Sequence, residues 1–129
     1  MTDNKLTLTL LPGIVAICRL DANSGIPSWA YADDFFSITH TDHELSIVCP
    51  QENVPAGIRR EDGYRCFKVK GPLDFALTGI IASLLMVLAQ VGVSVFALST
   101  FDTDYLLVKQ EQTKTAIMAL SEAGHHVIH

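Results

Sequence analysis

Three cysteines and five histidines are the side chains that would first serve as nucleophiles or metal ligands. Cys18, Cys49 and Cys66 have no Cys-x-x-Cys spacing, and each lies in an apolar run typical of a strand. This pattern predicts reduced, partly buried thiols rather than a zinc site. His125 and His126 point to opposite faces of a strand, so they are poorly placed to chelate one ion together.

The other groups give no catalytic set. Carboxylates are scattered, and no spacing supports a Ser-His-Asp or Cys-His arrangement. The 129 residues carry a net charge of −5, so no nucleic-acid-binding surface is predicted. The sequence therefore predicts a protein that is not an enzyme and holds neither a metal nor a cofactor.

Composition excludes further classes of protein. With 49% hydrophobic and 18% charged residues and a mean hydropathy of +0.30, the chain is too apolar to be disordered. Its start, MTDNKLTLTL, lacks the basic and apolar regions of a secretion signal. Together with the unpaired cysteines, this predicts a cytoplasmic protein.

Residues 75–101 contain no charged side chain and must be tested as a membrane span. Gly92 interrupts the helical period, and Val93 and Val95 then begin a β-branched run. The flanks also lack the cluster of Lys or Arg that would orient a span. The stretch therefore predicts two buried elements, a helix and then a central strand, in a protein without membrane contact.

Periodicity predicts two halves. Residues 1–63 are rich in strands, with two short strands in residues 6–20 divided at Pro12 and a hairpin of residues 35–49, followed by a linker. Residues 64–129 alternate strands and helices in the order βαββαβ, which is the ferredoxin-like unit of an α+β protein. The elements predicted there are a strand 64–70, a helix 75–90 capped by Asp74 or a neighbour, strands 93–99 and 104–109, a helix 112–123 ended by Gly124, and a strand 125–129.

The predicted helix of residues 75–90 is apolar around most of its circumference. Large side chains such as Leu84 and Leu88 lie on one face, which we expect to cover a sheet. Smaller or mildly polar ones such as Ala82 and Met86 lie on the other face, which we expect to meet another helix or subunit. A unit of this size cannot bury both faces alone, so the first half, a second chain, or both must cover it, and a homodimer is predicted.

Four segments of residues 64–129 carry a resemblance to a known family: Gly71-Pro72-Leu73-Asp74-Phe75, Thr78-Gly79-Ile80, Gly92-Val93-Ser94-Val95-Phe96 and Ser99–Val108. These segments resemble the ACT-domain family, while residues 6–63 resemble a degenerate ACT-like unit. The chain is similar to small bacterial proteins with two ACT-like halves, related to the ACT pairs of aspartate kinases and of animal cytosolic arginine sensors. The resemblance implies regulatory binding of a small molecule, most often an amino acid, between ACT units, and no catalysis.

The same resemblance implies a ligand held by the loop after the first strand, the start of the first helix and the edge of strand two of a neighbouring unit. A helix N-terminus suits an α-carboxylate, and nearby aspartates suit an α-ammonium group or a cationic side chain. Threonine and serine hydroxyls, including that of Thr103, can add hydrogen bonds. The ligand-binding residues predicted in this way are Leu73, Asp74, Phe75, Thr78, Gly79, Ser99, Thr100, Asp102 and Asp104.

These residues also have ordinary structural interpretations. Asp74 can be a helix cap, Gly79 a point of close helix packing, and residues 99–104 a plain hairpin turn. Phe101 and Tyr105 are expected to be packing residues. Two functions therefore remain open: an amino-acid sensor that acts on a separate, unidentified target protein, and a ligand-free assembly module with the same fold.

Overall fold

The structure is a computed structural model that describes residues 5–70 and 79–129. Short 3₁₀ turns at Ser28–Ala30, Gln51–Asn53 and Gln110–Gln112 connect some of the regular elements. The elements are β1 (Thr7–Leu10), β2 (Val15–Leu20), β3 (Ser37–His40), β4 (Leu45–Pro50), β5 (Arg60–Val69), α1 (Ile80–Gln90), β6 (Phe96–Ser99), β7 (Asp104–Lys109), α2 (Thr113–Glu122) and β8 (His126–Ile128).

The chain divides into two compact units. We call Gly13–Tyr64 the inner unit, and Met1–Pro12 together with Arg65–His129 the outer unit, after their places in the sequence. The predicted division at residues 63 and 64 lies one residue from the second boundary. The first strand, however, is grouped with the second half, because β1 pairs with β5 and β8 rather than with its neighbours in sequence.

The inner unit is an antiparallel sheet with the strand order β3-β4-β2-β5. β2 lies between β4 and the first part of β5, and β3 pairs with β4 from Ser37 opposite Val48 to His40 opposite Leu45. Thr41 closes the hairpin, because its Oγ1 accepts the backbone N–H groups of His43 and Glu44, both at 3.1 Å. The predicted hairpin is therefore confirmed. The buried core consists of Ala16, Cys18, Ala30, Leu45, Ile47, Cys49 and Val54.

The outer unit has the predicted order βαββαβ, formed by β5, α1, β6, β7, α2 and β8. Its sheet runs β8-β1-β5-β7-β6, with β1 parallel to β8 and antiparallel to β5. The alternation of Leu6, Leu8 and Leu10 places β1 in this sheet, since all three contact the core of the unit. That core consists of Leu8, Phe67, Val69, Leu84, Leu88, Val93, Leu106, Val108, Ala116 and Leu120.

Both helices end where the sequence predicts, at a glycine. Gly92 adopts a φ of 76°, donates its N–H to Ala89 O at 3.0 Å, and the next N–H, of Val93, reaches Leu88 O at 3.0 Å. This pair of bonds satisfies the last free carbonyls of α1. Gly124 ends α2 in the same way, with His125 N–H donating to Leu120 O at 3.0 Å.

The start of α1 differs from the prediction. The residue before the helix is Gly79, whose φ of 76° cannot continue a right-handed helix, so α1 begins at Ile80. The predicted start at Phe75 and the predicted cap at Asp74 lie outside the described residues. Among the described residues, no helix is long and apolar enough to cross a membrane.

The position of β6 also differs from the prediction, whereas the sheet-facing side of α1 is buried as predicted. Leu84 and Leu88 are fully buried, as predicted for the sheet-facing side, but Met86 on the opposite face is 60% exposed. Among the described strands, β6 is bonded only to β7, so it is an edge strand and not a central one. Its apolar composition was a poor guide because Ala97 and Ser99 face outward at this edge.

Candidate functional site

Four of the predicted ligand residues lie outside the described residues, namely Leu73, Asp74, Phe75 and Thr78. The structure places the remaining five in the outer unit. Gly79 precedes α1, and the other four, Ser99, Thr100, Asp102 and Asp104, lie in or beside the turn between β6 and β7.

Internal hydrogen bonds fix the shape of this turn. Thr100 N–H donates to Thr103 O at 2.8 Å, and Thr103 N–H donates to Thr100 Oγ1 at 3.3 Å. At the base of the turn, Ser99 Oγ donates to Asp104 Oδ1 at 2.6 Å across the paired strands. The Asp104 carboxylate is thereby oriented by a neighbour that carries no charge, so its negative charge is available for a cationic group.

The turn is joined to the end of β5. Thr103 Oγ1 donates to Val69 O, the carbonyl of the last residue of that strand. The N–H of Lys70 in turn donates to Thr7 O of β1 at 2.8 Å. The β6–β7 turn is therefore held beside the point at which the chain enters residues 71–78, which contain the other predicted ligand residues.

The N-terminus of α1 has features that suit an anion. Gly79 provides no side-chain cap, and among the described residues the first turn of the helix carries no acidic group. The first N–H groups of a helix have no partner within it and carry a partial positive charge. From Gly79 to Phe101 the chain has no charged side chain that would oppose an anion.

Phe101 does not pack as expected. It is 81% exposed at the β6–β7 turn, because the hairpin carries it away from the core of the unit. It immediately follows Thr100 in the turn. Sequence reasoning missed this exposure, since an aromatic residue near a strand end is usually a packing residue.

The cysteines offer little reactivity. Cys18, Cys49 and Cys66 are free thiols with at most 3% of their surface exposed. Burial raises the pKa of all three, that of Cys49 to about 11 and that of Cys66 to about 12. In the part of the chain that the structure describes, no three His, Cys, Asp or Glu residues are grouped as metal ligands.

These thiols are therefore expected to react slowly in the folded protein. At pH 8, we expect them to react with 5,5′-dithiobis(2-nitrobenzoate) roughly 100-fold more slowly than in 6 M guanidinium chloride, because the thiolate is the reacting form. Ser121→Cys, at an exposed position of α2, is the control and should react at once. Rapid reaction of even one native thiol would contradict the burial of these strands.

Comparison with known proteins identifies the fold family. The family model described as an ACT domain matches residues 59–122, and a second model, described as an N-terminal domain, matches residues 13–57. A crystal structure of a protein from Agrobacterium tumefaciens is 41% identical with a TM-score of 0.91, over 96% of this chain and 92% of that one. The chain belongs to the ACT-domain family. Among curated proteins, none matches it.

More distant structures share this ACT fold. A Vibrio cholerae protein, described as of unknown function and a possible transport protein, is 20% identical with a TM-score of 0.76, over 94% of this chain and 91% of that one. The ligand-free regulatory subunit of aspartate kinase from Thermus thermophilus is 11% identical with a TM-score of 0.64, over 91% of this chain and 97% of its own. At such identities the likeness shows the fold alone, and it extends over both units. The predicted fold class is confirmed.

Proposed function

We propose that this ACT protein is a regulatory, non-catalytic protein that binds an amino acid at an interface between ACT units and acts on a separate target protein. The observation that carries the proposal is the placing of the β6–β7 turn, which contains Thr100 and precedes Asp104, beside the end of β5. The aspartate-kinase regulatory subunit has the same fold, which supports a regulatory role.

The groups of the turn and of the start of α1 together match the three parts of an amino acid. The N–H groups at the start of α1 suit the α-carboxylate, and the charge of Asp104 suits the α-ammonium group or a cationic side chain. The exposed ring of Phe101 offers an apolar surface to the rest of the side chain, or to a cation above its face. Leu73, Asp74, Phe75 and Thr78 remain proposed contacts on the adjacent segment.

A homodimer is part of the proposal. The outward face of α1 carries Ala82, Met86 and Ala89, all exposed and uncharged. In the same unit, one edge of β6 is unpaired among the described strands. Methionine is enriched in protein interfaces and charged side chains are depleted at their centres. A second copy that covers this face and edge would also bring a second turn of residues 99–104 to the interface.

A thermal-shift screen of the standard amino acids, with purines as a second set, tests the proposal. A ligand that binds only the native state at 100 times its Kd adds about 2.7 kcal/mol, so at least one amino acid is expected to raise the melting temperature by several degrees. Asp104→Asn keeps the acceptor for Ser99 and removes the charge, and should weaken binding about tenfold. Asp33→Asn, exposed in the inner unit, is the matched control and should leave the Kd unchanged.

The alternative function predicts a different result. A ligand-free assembly module would form a stable dimer but show no shift with any amino acid or purine. An equal Kd for Asp104→Asn and the wild-type protein would show instead that a ligand binds elsewhere.

A further inference from the structure

Thr103 differs from the other residues of its turn. Thr100, Phe101 and Asp102 are exposed, whereas Thr103 is only 4% exposed. A hydroxyl removed from water needs a hydrogen-bond partner, and this one donates to the distant Val69 O. Thr113, which is also buried, bonds instead to Lys109 O four residues earlier, so its bond is local in the chain and joins the start of α2 to the end of β7.

The partner of Thr103, the carbonyl of Val69, lies at the end of a strand. Val69 is the last residue of β5, and Lys70 is already held to β1 by its backbone N–H. Backbone pairing between β5 and β7 forms the sheet itself. The hydroxyl of Thr103 adds a side-chain bond from the last residue of the turn, immediately before β7, to the last residue of β5.

The rest of the turn depends on the same residue. The carbonyl of Thr103 accepts the N–H of Thr100, and the Thr103 N–H bonds to the Thr100 hydroxyl. Asp104, adjacent in the chain, is held by Ser99. A shift of Thr103 would consequently move both groups that are proposed to contact the ligand.

We propose that Thr103 is a positioning residue that sets the ligand groups of the β6–β7 turn against the end of β5. This inference rests on the proposed function. Thr103 does not contact the ligand; it fixes the spacing between Thr100 and Asp104 on one side and the end of β5 on the other. The hydroxyl is the essential part, because a methyl group of similar size can fill the space but cannot bond to Val69 O.

Two substitutions separate the hydroxyl from the volume of the side chain. Thr103→Val keeps the shape and removes the donor, and Thr103→Ser keeps the donor. In Thr103→Val, we expect the amides of Thr100 and Thr103 to exchange with deuterium about tenfold faster or more, and the Kd for the amino acid found by the screen to rise about tenfold. Thr103→Ser should restore both to within about threefold of wild type.

Thr113→Val is the control for a purely structural effect, since it removes the bond of the other buried threonine and should lower the melting temperature without a change in Kd. An unchanged Kd in Thr103→Val would overturn the positioning role even though the proposed function stood. If no amino acid binds the wild-type protein, the proposed function fails. The rate of deuterium exchange at the turn amides then tests the positioning role of Thr103. Faster exchange at Thr100 with rescue by serine then supports the positioning of the turn, and unchanged exchange overturns it.

Discussion

The variant Leu88→Ala is expected to lose about 2–5 kcal/mol of the free energy of unfolding. Leu88 is fully buried in the core of the outer unit, between the helices and the sheet, and the shortened side chain leaves a cavity there. A folded domain has only about 5–15 kcal/mol of stability, so this is a large fraction of it. For a chain of this length, the melting temperature should fall by roughly 10 °C or more.

Two optical probes can locate the loss. The α-helices of the described residues are both in the outer unit, whereas the single tryptophan, Trp29, is in the inner unit. Circular dichroism at 222 nm therefore follows the outer unit, and tryptophan fluorescence follows the inner one. We expect Leu88→Ala to lower the melting temperature followed by circular dichroism. The melting temperature followed by fluorescence then measures how far unfolding of the two units is coupled.

Gln90→Ala is the matched control, because Gln90 lies on the exposed side of the same helix. Its effect should stay within about 0.5 kcal/mol. A loss in Leu88→Ala no larger than in this control would contradict the placing of Leu88 in the core.

The parts of the fold that local chemistry determines were predictable. Gly92 and Gly124 end their helices because a left-handed residue is needed at that point and glycine adopts it without strain. The hairpin at Thr41 follows from alternating strands around a short polar turn. Such features depend on a few neighbouring residues, so a short stretch of sequence is enough to predict them.

Features that depend on distant partners were not predictable. Alternating leucines indicate that β1 is a strand, but nothing within residues 6–10 indicates that β5 and β8 are its neighbours. The apolar run before Ser99 suggested a central strand, yet its position at an edge depends on what pairs with it. Gly79 was compatible with a continuous helix, and only its left-handed conformation shows that α1 begins afterwards.

The candidate site also has features that could be predicted from the sequence and features that could not. The resemblance to a family selected residues 99–104, and the structure brings Ser99, Thr100 and Asp104 together in one hydrogen-bonded turn. The burial of Thr103 depends on a partner far along the chain, so no pattern within the turn distinguishes it from Thr100. Exposure of Phe101 is likewise a property of the folded hairpin rather than of local sequence.

Substitution of Met86 by glutamate is expected to convert the proposed dimer into a monomer. Met86 is 60% exposed at the middle of the uncharged face of α1, and the substitution leaves the core of its own unit unchanged. In a symmetric dimer the new charge enters the interface twice and has no cationic partner on this face. An unpaired buried charge is destabilising by several kcal/mol, so the dimer Kd should rise roughly 100-fold or more.

Met118→Glu provides a closely matched control for this prediction. Met118 is 55% exposed on α2, but that helix also carries Lys114 and Glu122, so its outer face is already charged and suited to water. Sedimentation equilibrium at micromolar concentrations should find Met86→Glu monomeric, and the wild type and Met118→Glu dimeric. A wild-type protein that stayed monomeric at all concentrations would reject the dimer itself. If Met118→Glu dissociates the dimer and Met86→Glu does not, the interface lies on α2 and away from the edge strand β6. Each turn of residues 99–104 would then lack the second unit that the proposed ligand site requires.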